Sequence, residues 1–98
     1  MQYNFEWDPE KASKNKKKHG TSFELATTIF NDPRAFSLFD KEHSDIAEER
    51  WVTIGLSANG NLIVVVHTYD EKNDDLARIR IISARKATKR EKLQYQGV

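Results

Sequence analysis

The chain has 98 residues, of which 16 are Lys or Arg and 15 are Asp or Glu, so its formal net charge is +1. This length has room for one small domain with one modest core, and a hydrophobic content of 38% argues against a disordered chain. There is no cysteine, so neither a disulfide framework nor a thiolate metal site is possible, and a cytoplasmic location is expected. The longest apolar run, residues 62–66, is far too short to span a membrane, and we expect no signal peptide.

The chain begins with a predicted strand and a basic helix. Residues 3–7 alternate aromatic and polar side chains, which is typical of a half-buried strand. Asp8 followed by proline is a strong helix start, and the helix should run over residues 9–19, which include five lysines. Gly20 is well placed to end this helix.

A second helix and a short strand are predicted next. Thr21 and Glu24 have the spacing of a capping box, and an apolar stripe follows at helical intervals. The Asn-Asp-Pro sequence at residues 31–33 should stop this helix. Residues 35–40 alternate in a way that indicates a strand with some burial on both faces.

The second half of the chain predicts three more strands. Residues 50–56 and 61–69 are strand-like, and the Asn-Gly sequence between them predicts a hairpin. Residues 78–82 alternate arginine and isoleucine, so the two residue types should face opposite sides of a sheet. Two acid-rich stretches, residues 40–49 and 70–75, have no apolar period and are predicted to be loops.

These elements predict a single α+β domain over residues 1–98, in the order βααββββα. Hairpin-sized connections favour an antiparallel sheet of four to five strands, with two N-terminal helices and one short C-terminal helix packed on one face. The C-terminal helix should start at a capping box formed by Thr88 and Glu91. Arg78 and Arg80 should then lie on the opposite face of the sheet.

The most concentrated charge lies in residues 78–92, where seven cations stand against one anion. Guanidinium groups offer forked donors that match phosphate oxygens, so Arg78, Arg80 and Arg85 are candidate phosphate ligands of a catalytic site. The alternative is an exposed strand face whose arginines pair with the two acid-rich stretches. The density of positive charge favours a polyanionic partner such as RNA.

Cleavage of RNA without a metal requires more than phosphate binding. The 2′-hydroxyl attacks, a base takes its proton, an acid protonates the leaving 5′-oxygen, and cations stabilise the phosphorane. His67 lies on a predicted central strand and is a candidate acid or base; a partly buried structural histidine is the alternative. Glu49 is a candidate base; the alternative is that it is a loop carboxylate that contacts only solvent.

Further cations extend this candidate RNA surface. Those predicted to bind RNA phosphates are Lys16, Lys18, Lys86, Lys89 and Arg90. For the lysines of the first helix, a solvated helix face is an equally good explanation. The three histidines are not spaced like metal ligands and the acidic residues form no metal-binding pattern, so no metal or other cofactor is expected.

Four motifs run through nearly the whole chain in order. They are Phe-Glu-Trp-Asp-Pro at residues 5–9, Lys-His-Gly at residues 18–20, Glu-Arg-Trp at residues 49–51, and Arg-Ile-Ile-Ser-Ala-Arg-Lys-Ala-Thr at residues 80–88. Together they resemble the BrnT family of toxins. The resemblance implies a RelE-like fold and a ribonuclease toxin of a type II toxin–antitoxin system, which halts translation by cleaving mRNA.

The resemblance also implies partners and site residues. A BrnA-like antitoxin with a ribbon-helix-helix part would form a hetero-oligomer with the chain, and the complex would bind operator DNA through the antitoxin. A RelE-like fold places its phosphate-binding groups at the arginine strand and the following turn, which supports Arg78, Arg80 and Arg85. His67 and Glu49 are carried over as candidates for acid and base.

Two other functions use the same surface. A non-catalytic module would bind nucleic acid or protein through these cations without any chemistry. A DNA-binding regulator is a third alternative, but no recognition helix with base-reading residues stands out. Cleavage of RNA in the presence of EDTA separates the catalytic function from the other two.

Overall fold

A computed structural model describes residues 1–46 and 48–97 of the chain. The strands are β1 (Gln2–Glu6), β2 (Phe36–Phe39), β3 (Arg50–Leu56), β4 (Leu62–Thr68), β5 (Asp70–Asn73) and β6 (Leu76–Lys86). The helices are α1 (Pro9–His19), α2 (Phe23–Thr27), a 3-10 helix (Thr28–Asn31) and α3 (Lys89–Tyr95). The predicted α+β class is confirmed.

The described strands form one mixed sheet in the order β1, β6, β4, β3, β2, with β5 also paired to β6. The prediction of an antiparallel sheet of four to five strands is wrong in two respects. β1 is parallel to β6, a pairing of the two sequence-distant ends of the chain that no hairpin specifies. The acid-rich stretch 70–75, which was predicted to be a loop, contains the strand β5. An exposed edge strand needs no apolar face, so its sequence shows no apolar period.

The two faces of the sheet have separate cores. On one, which we call the helical face, Phe23 of α2 and Ile29 of the 3-10 helix pack on isoleucines and valines of β4 and β6. On the other, which we call the α3 face, Tyr95 packs on Ile54 and Val64. The prediction that all helices share one face is therefore wrong, because α3 turns back from β6 and covers the smaller cluster.

Most helix boundaries follow the capping signals in the sequence. The Asp8 side chain accepts a backbone hydrogen bond at 2.9 Å, and Gly20 ends α1 with a φ of 69°. The capping box predicted at the start of α3 is confirmed. The one predicted at Thr21 and Glu24 is wrong, because Ser22 is the N-cap of α2 and Thr21 is buried.

A β-bulge in β6 decides which arginines share a face. The register between β4 and β6 shifts after Val66, which leaves Ile82 as an extra residue in β6. Strict alternation would put Arg85 on the opposite side from Arg78 and Arg80. The shift returns Arg85 to the α3 face, so all three arginines lie on the same side of the sheet.

Asn15 closes the part of the β6 edge that β1 leaves open. β1 pairs only with residues 76–80 of β6. Beyond them, the buried Asn15 side chain donates to Ala84 O at 2.8 Å and accepts from Ala84 N at 3.2 Å. The same amide donates to Thr21 O at 3.0 Å. One side chain thus joins α1, the loop before α2 and the strand that carries the arginines.

Candidate active site

An open cleft of about 570 Å³ lies on the α3 face where β1, β6 and β5 pair. Arg78 and Arg80 project into it from β6, because alternate residues of a strand share a face. Cross-strand pairing places two carboxylates beside them: Glu6 of β1 is opposite Arg80, and Asp70 of β5 is opposite Arg78. We call this site the arginine cleft.

Within the arginine cleft, Arg80 already has a partner. Its Nη2 is hydrogen-bonded to Oε1 of Glu48, in the loop before β3. The Arg80 side chain is nevertheless 45% exposed. The side chain of Arg78 makes no hydrogen bond or ion pair with any residue in 1–46 or 48–97. The cleft therefore contains one unpaired guanidinium and one that is paired with Glu48, and both offer the forked donors that match phosphate oxygens.

Glu49 lines the same cleft. Its side chain is exposed, and Oε1 accepts a long hydrogen bond of 3.4 Å from Trp51 Nε1. Its neighbour Glu48 is neutralised by Arg80, whereas Glu49 pairs with no cation among the described residues. A carboxylate with open lone pairs in this position can accept a proton.

Arg85 shares the α3 face but is held by a local partner. Its two terminal nitrogens donate to the two carboxylate oxygens of Glu91 at 2.7 and 2.9 Å. Glu91 also accepts from Thr88 N at 2.8 Å as part of the capping box. The hydrogen bonds from Arg85 lower the pKa of Glu91 to about 2, so the pair stays ionised at neutral pH. This guanidinium ties α3 to β6.

His67 lies on the helical face, apart from the arginine cleft, and is only 2% exposed. Its Nδ1 donates to Thr68 O at 2.9 Å, and its Nε2 is 2.6 Å from Thr53 Oγ1. Phe30 packs against the ring with 5.0 Å between centroids. Burial lowers the pKa of His67, so the ring is neutral. His67 therefore has the geometry of a buried structural histidine, which is the alternative to a catalytic acid or base beside the arginines.

The arginine cleft contains more acidic than basic side chains. Its two arginines are accompanied by the carboxylates of Glu6, Glu48, Glu49, Asp70 and Glu71. Glu6, Asp70 and Glu71 were not candidates on sequence grounds, because the pairings that bring β1 and β5 to β6 have no signal in the apolar pattern. No three His, Cys, Asp or Glu side chains converge on a metal-binding arrangement in the described part of the chain.

Comparison with known protein families decides the class of this protein. The family model of the ribonuclease toxin BrnT, of type II toxin–antitoxin systems, matches residues 7–91. The chain belongs to the BrnT family. BrnT proteins are ribonuclease toxins, so RNA is the target of this chain and a protein antitoxin is its partner. No protein with a curated description matches the chain significantly.

In this BrnT protein, the matched region contains both arginines of the cleft and Glu49, as well as the pair that ties α3 to β6. The described residues that line the arginine cleft lie on strands of the sheet, in the loop before β3, and at Tyr69 between β4 and β5. None of its described helices combines the length and apolar character that crossing a lipid bilayer requires.

The structure separates the remaining predicted RNA contacts of this BrnT chain into two groups. Lys89 and Arg90 are exposed in the first turn of α3, on the same side of the sheet as the arginine cleft. Lys86 is paired with Ile63 and so lies on the helical face, at the end of β6. Lys16 and Lys18 are exposed on α1, which also packs on the helical face.

Proposed function

We propose that this BrnT chain is an endoribonuclease that cleaves mRNA without a metal ion and thereby inhibits translation. The observation that carries the proposal is the arginine cleft, where Arg78 and Arg80 project from one strand beside Glu49. Forked guanidinium donors match the oxygens of a phosphate and stabilise the charge of a phosphorane. Because both arginines come from a strand in the sheet interior, their positions are held before RNA binds.

In the proposed reaction, the Glu49 carboxylate accepts the proton of a ribose 2′-hydroxyl. The 2′-oxygen attacks the adjacent phosphorus, and the bond from phosphorus to the 5′-oxygen of the next nucleotide breaks. That 5′-oxygen takes a proton from water, so the products are a 2′,3′-cyclic phosphate and a 5′-hydroxyl end. Arg78 and Arg80 stabilise the negative charge that builds up on the phosphorane oxygens.

Glu48 has a separate role in this proposal. Its carboxylate occupies the Arg80 guanidinium in the absence of RNA. Both side chains are partly exposed, at 45% for Arg80 and 32% for Glu48, so the ion pair is screened by water and contributes at most about 1 kcal/mol. An RNA phosphate can therefore displace Glu48 at a small cost in free energy, whereas anions that bind more weakly have to compete with Glu48 for Arg80.

The wider RNA path follows the α3 face. We assign Lys89 and Arg90 to contacts with phosphates beyond the cleft, because α3 continues the surface that β6 begins. Lys16, Lys18 and Lys86 lie towards the other side, and we assign them to long-range attraction of RNA through the charge field. Arg85 acts indirectly in this assignment, because it holds α3 in place through Glu91.

The partner in this proposal is a BrnA-like antitoxin with a ribbon-helix-helix part, through which the complex binds operator DNA. The proposal is supported by the family of the chain, whose members belong to type II systems with protein antitoxins. The cytoplasm is the proposed site of action, because mRNA is translated there. A neighbouring open reading frame that encodes a small ribbon-helix-helix protein is the genomic observation that checks this partner.

One observation favours a second function, binding of RNA or protein without chemistry. Five carboxylates accompany two arginines in the cleft, and such a surface also suits a basic segment of a partner protein. A cleavage assay separates the two functions. The purified protein, incubated with an RNA oligonucleotide in EDTA, should produce fragments with 2′,3′-cyclic phosphate ends. Intact RNA under these conditions, together with normal growth of cells that express the chain, contradicts the nuclease proposal.

A further inference from the structure

A second groove, of about 230 Å³, crosses the helical face of the sheet beyond the 3-10 helix. The side chains that line it are four aromatic residues, the apolar Ile79 and two polar residues. The aromatic side chains are Tyr3, Phe30, Trp51 and Tyr69, and the polar ones are Ser37 and His67. The volume lies below the roughly 300 to 1,000 Å³ of pockets for drug-sized ligands, so the groove suits one planar ring system. We call it the aromatic groove.

A chain of hydrogen bonds under the groove has only one possible direction. His67 Nδ1 is 2.9 Å from the carbonyl oxygen of Thr68, which can only accept, so Nδ1 carries the proton. The buried ring is neutral, which leaves Nε2 as an acceptor for the Thr53 hydroxyl at 2.6 Å. The Ser37 hydroxyl must then donate to Thr53 Oγ1, at 2.7 Å. Ser37 consequently presents only oxygen lone pairs to the groove.

The aromatic groove and the arginine cleft meet at Tyr69, which lines both. The Trp51 indole donates to Glu49 and the Tyr69 hydroxyl donates to Glu71, each at 3.4 Å. Both carboxylates belong to the arginine cleft. A nucleotide chain whose phosphate lies at the arginines can therefore reach the aromatic groove past the free edge of β5.

We infer that the aromatic groove binds one base of the RNA and prefers a base with an exocyclic amino group, such as cytosine, over uracil. The inference rests on the proposed nuclease function for the identity of its ligand. Trp51 and Tyr69 supply stacking surfaces, which accept any base. Ser37 supplies the selectivity, because its lone pairs accept a hydrogen bond from an amino group and repel the carbonyl oxygen that replaces it in uracil.

The test measures binding of cytidine 3′-monophosphate and uridine 3′-monophosphate to the purified full chain, by calorimetry and by the NMR signals of the Trp51 indole. Neither probe contains a bond that the proposed reaction cleaves. We expect cytidine monophosphate to bind about fivefold more tightly, the effect of one neutral hydrogen bond. Ser37→Ala should remove this preference and retain binding, whereas Trp51→Ala should weaken both nucleotides.

Leu38→Ala is the matched control, because Leu38 is the next residue on β2, faces the α3 side and is 54% exposed. It should keep the preference of the wild type. Equal binding of the two nucleotides by the wild type, a preference that survives Ser37→Ala, or Trp51 signals that do not move would each overturn the inference.

The two proposals fail in different ways. If RNA is cleaved while neither nucleotide perturbs Trp51, the inference about the groove is wrong and the nuclease proposal stands. If the nucleotides bind with the expected preference while RNA stays intact, the groove binds bases and the nuclease proposal is wrong.

Discussion

Arg80 and Arg85 lie on the same face of the same strand, yet their carboxylate partners differ in how firmly they are held in place. Arg80 pairs with Glu48, which is 32 residues away in sequence, belongs to a loop and has a side chain that is 32% exposed. Arg85 pairs through two hydrogen bonds with Glu91, only six residues away. Glu91 is itself fixed by the capping box of α3 and is 20% exposed.

The comparison shows that the partner of an arginine decides whether its guanidinium is available to a ligand. Release of Glu48 breaks one exposed ion pair, worth about 0 to 1 kcal/mol. Release of Glu91 breaks a bidentate pair and disturbs a helix cap as well. Arg80 therefore suits phosphate binding and Arg85 suits the docking of α3. Variants of the two arginines and of Glu48 should therefore differ in cleavage rate, stability and RNA affinity.

Arg80→Ala should reduce the rate of RNA cleavage by about 100-fold or more, the usual effect of removing one preorganised donor to a transition-state charge. The measurement is single-turnover cleavage of an RNA oligonucleotide in EDTA. Arg80→Lys keeps the positive charge but lacks the forked guanidinium donors, so it should give an intermediate cleavage rate.

The control for Arg80→Ala is Lys11→Ala, which removes one exposed positive charge from α1. It should cleave RNA nearly as fast as the wild type. Equal rates for Lys11→Ala and Arg80→Ala, with both proteins folded by circular dichroism, would show that the cleft is not catalytic.

Arg85→Ala should lower the free energy of unfolding by about 1 kcal/mol, because it removes an ion pair to a helix-capping residue. Its cleavage rate should change far less than that of Arg80→Ala. Urea denaturation and the same cleavage assay measure the two effects. A large loss of cleavage with unchanged stability would reverse the division between the two arginines.

The contribution of Arg85 to stability should also depend on pH. Because Glu91 has a pKa of about 2 in the folded protein, below its ordinary value of 4.5, its stabilising effect is complete above the ordinary value. The effect is lost as the pH falls towards 2. The difference in unfolding free energy between wild type and Arg85→Ala should therefore be smaller at about pH 3 than at neutral pH.

Glu48→Gln should increase RNA affinity by up to about fivefold, because an exposed ion pair no longer competes for Arg80. Filter binding or fluorescence anisotropy with a 2′-deoxy substrate, which cannot be cleaved, gives the affinity. Glu42→Gln removes an exposed acid from the same loop and is the matched control for net charge. If RNA affinity increases equally in both variants, the effect comes from the overall charge of the protein and not from release of Arg80.

Arg78→Ala should make RNA affinity less dependent on salt. Each phosphate contact on single-stranded nucleic acid contributes about 0.7 to the slope of log K against log salt concentration, so this variant should lose about that amount. Affinities measured over a series of salt concentrations give the slope. An unchanged slope would place Arg78 away from the phosphates and leave Arg80 as the main ligand.

Features that depend on neighbouring residues could be predicted for this protein. Alternation along β6 correctly places Arg78 and Arg80 opposite Ile79 and Ile81. The Asn-Gly turn between β3 and β4 is present, with Gly60 at a φ of 86°. Glu49, a candidate base on sequence grounds, lines the arginine cleft, and its role as a base stays a prediction.

Features that depend on distant segments could not be predicted. Glu6 reaches the cleft through a parallel pairing between the two ends of the chain, and Asp70 through an edge strand without apolar residues. His67 alternates correctly with its neighbours, but only the packing of Phe30 over it shows that its face is the covered one. The single-residue bulge at Ile82 has no signature in the residues around it.

By itself, the sequence determined the α+β class, both ends of α1, the start of α3, and a basic strand with Arg78 and Arg80 on one side. These properties follow from capping, turn chemistry and strand alternation, which act over a few residues. Only the tertiary structure decided that Arg80 pairs with a partly exposed loop carboxylate, that Arg85 is tied to α3 through Glu91, and that His67 lies beside a separate aromatic groove. Strand order, bulges and ion pairs across the sheet arise from contacts between distant segments, so no local pattern in the chain specifies them.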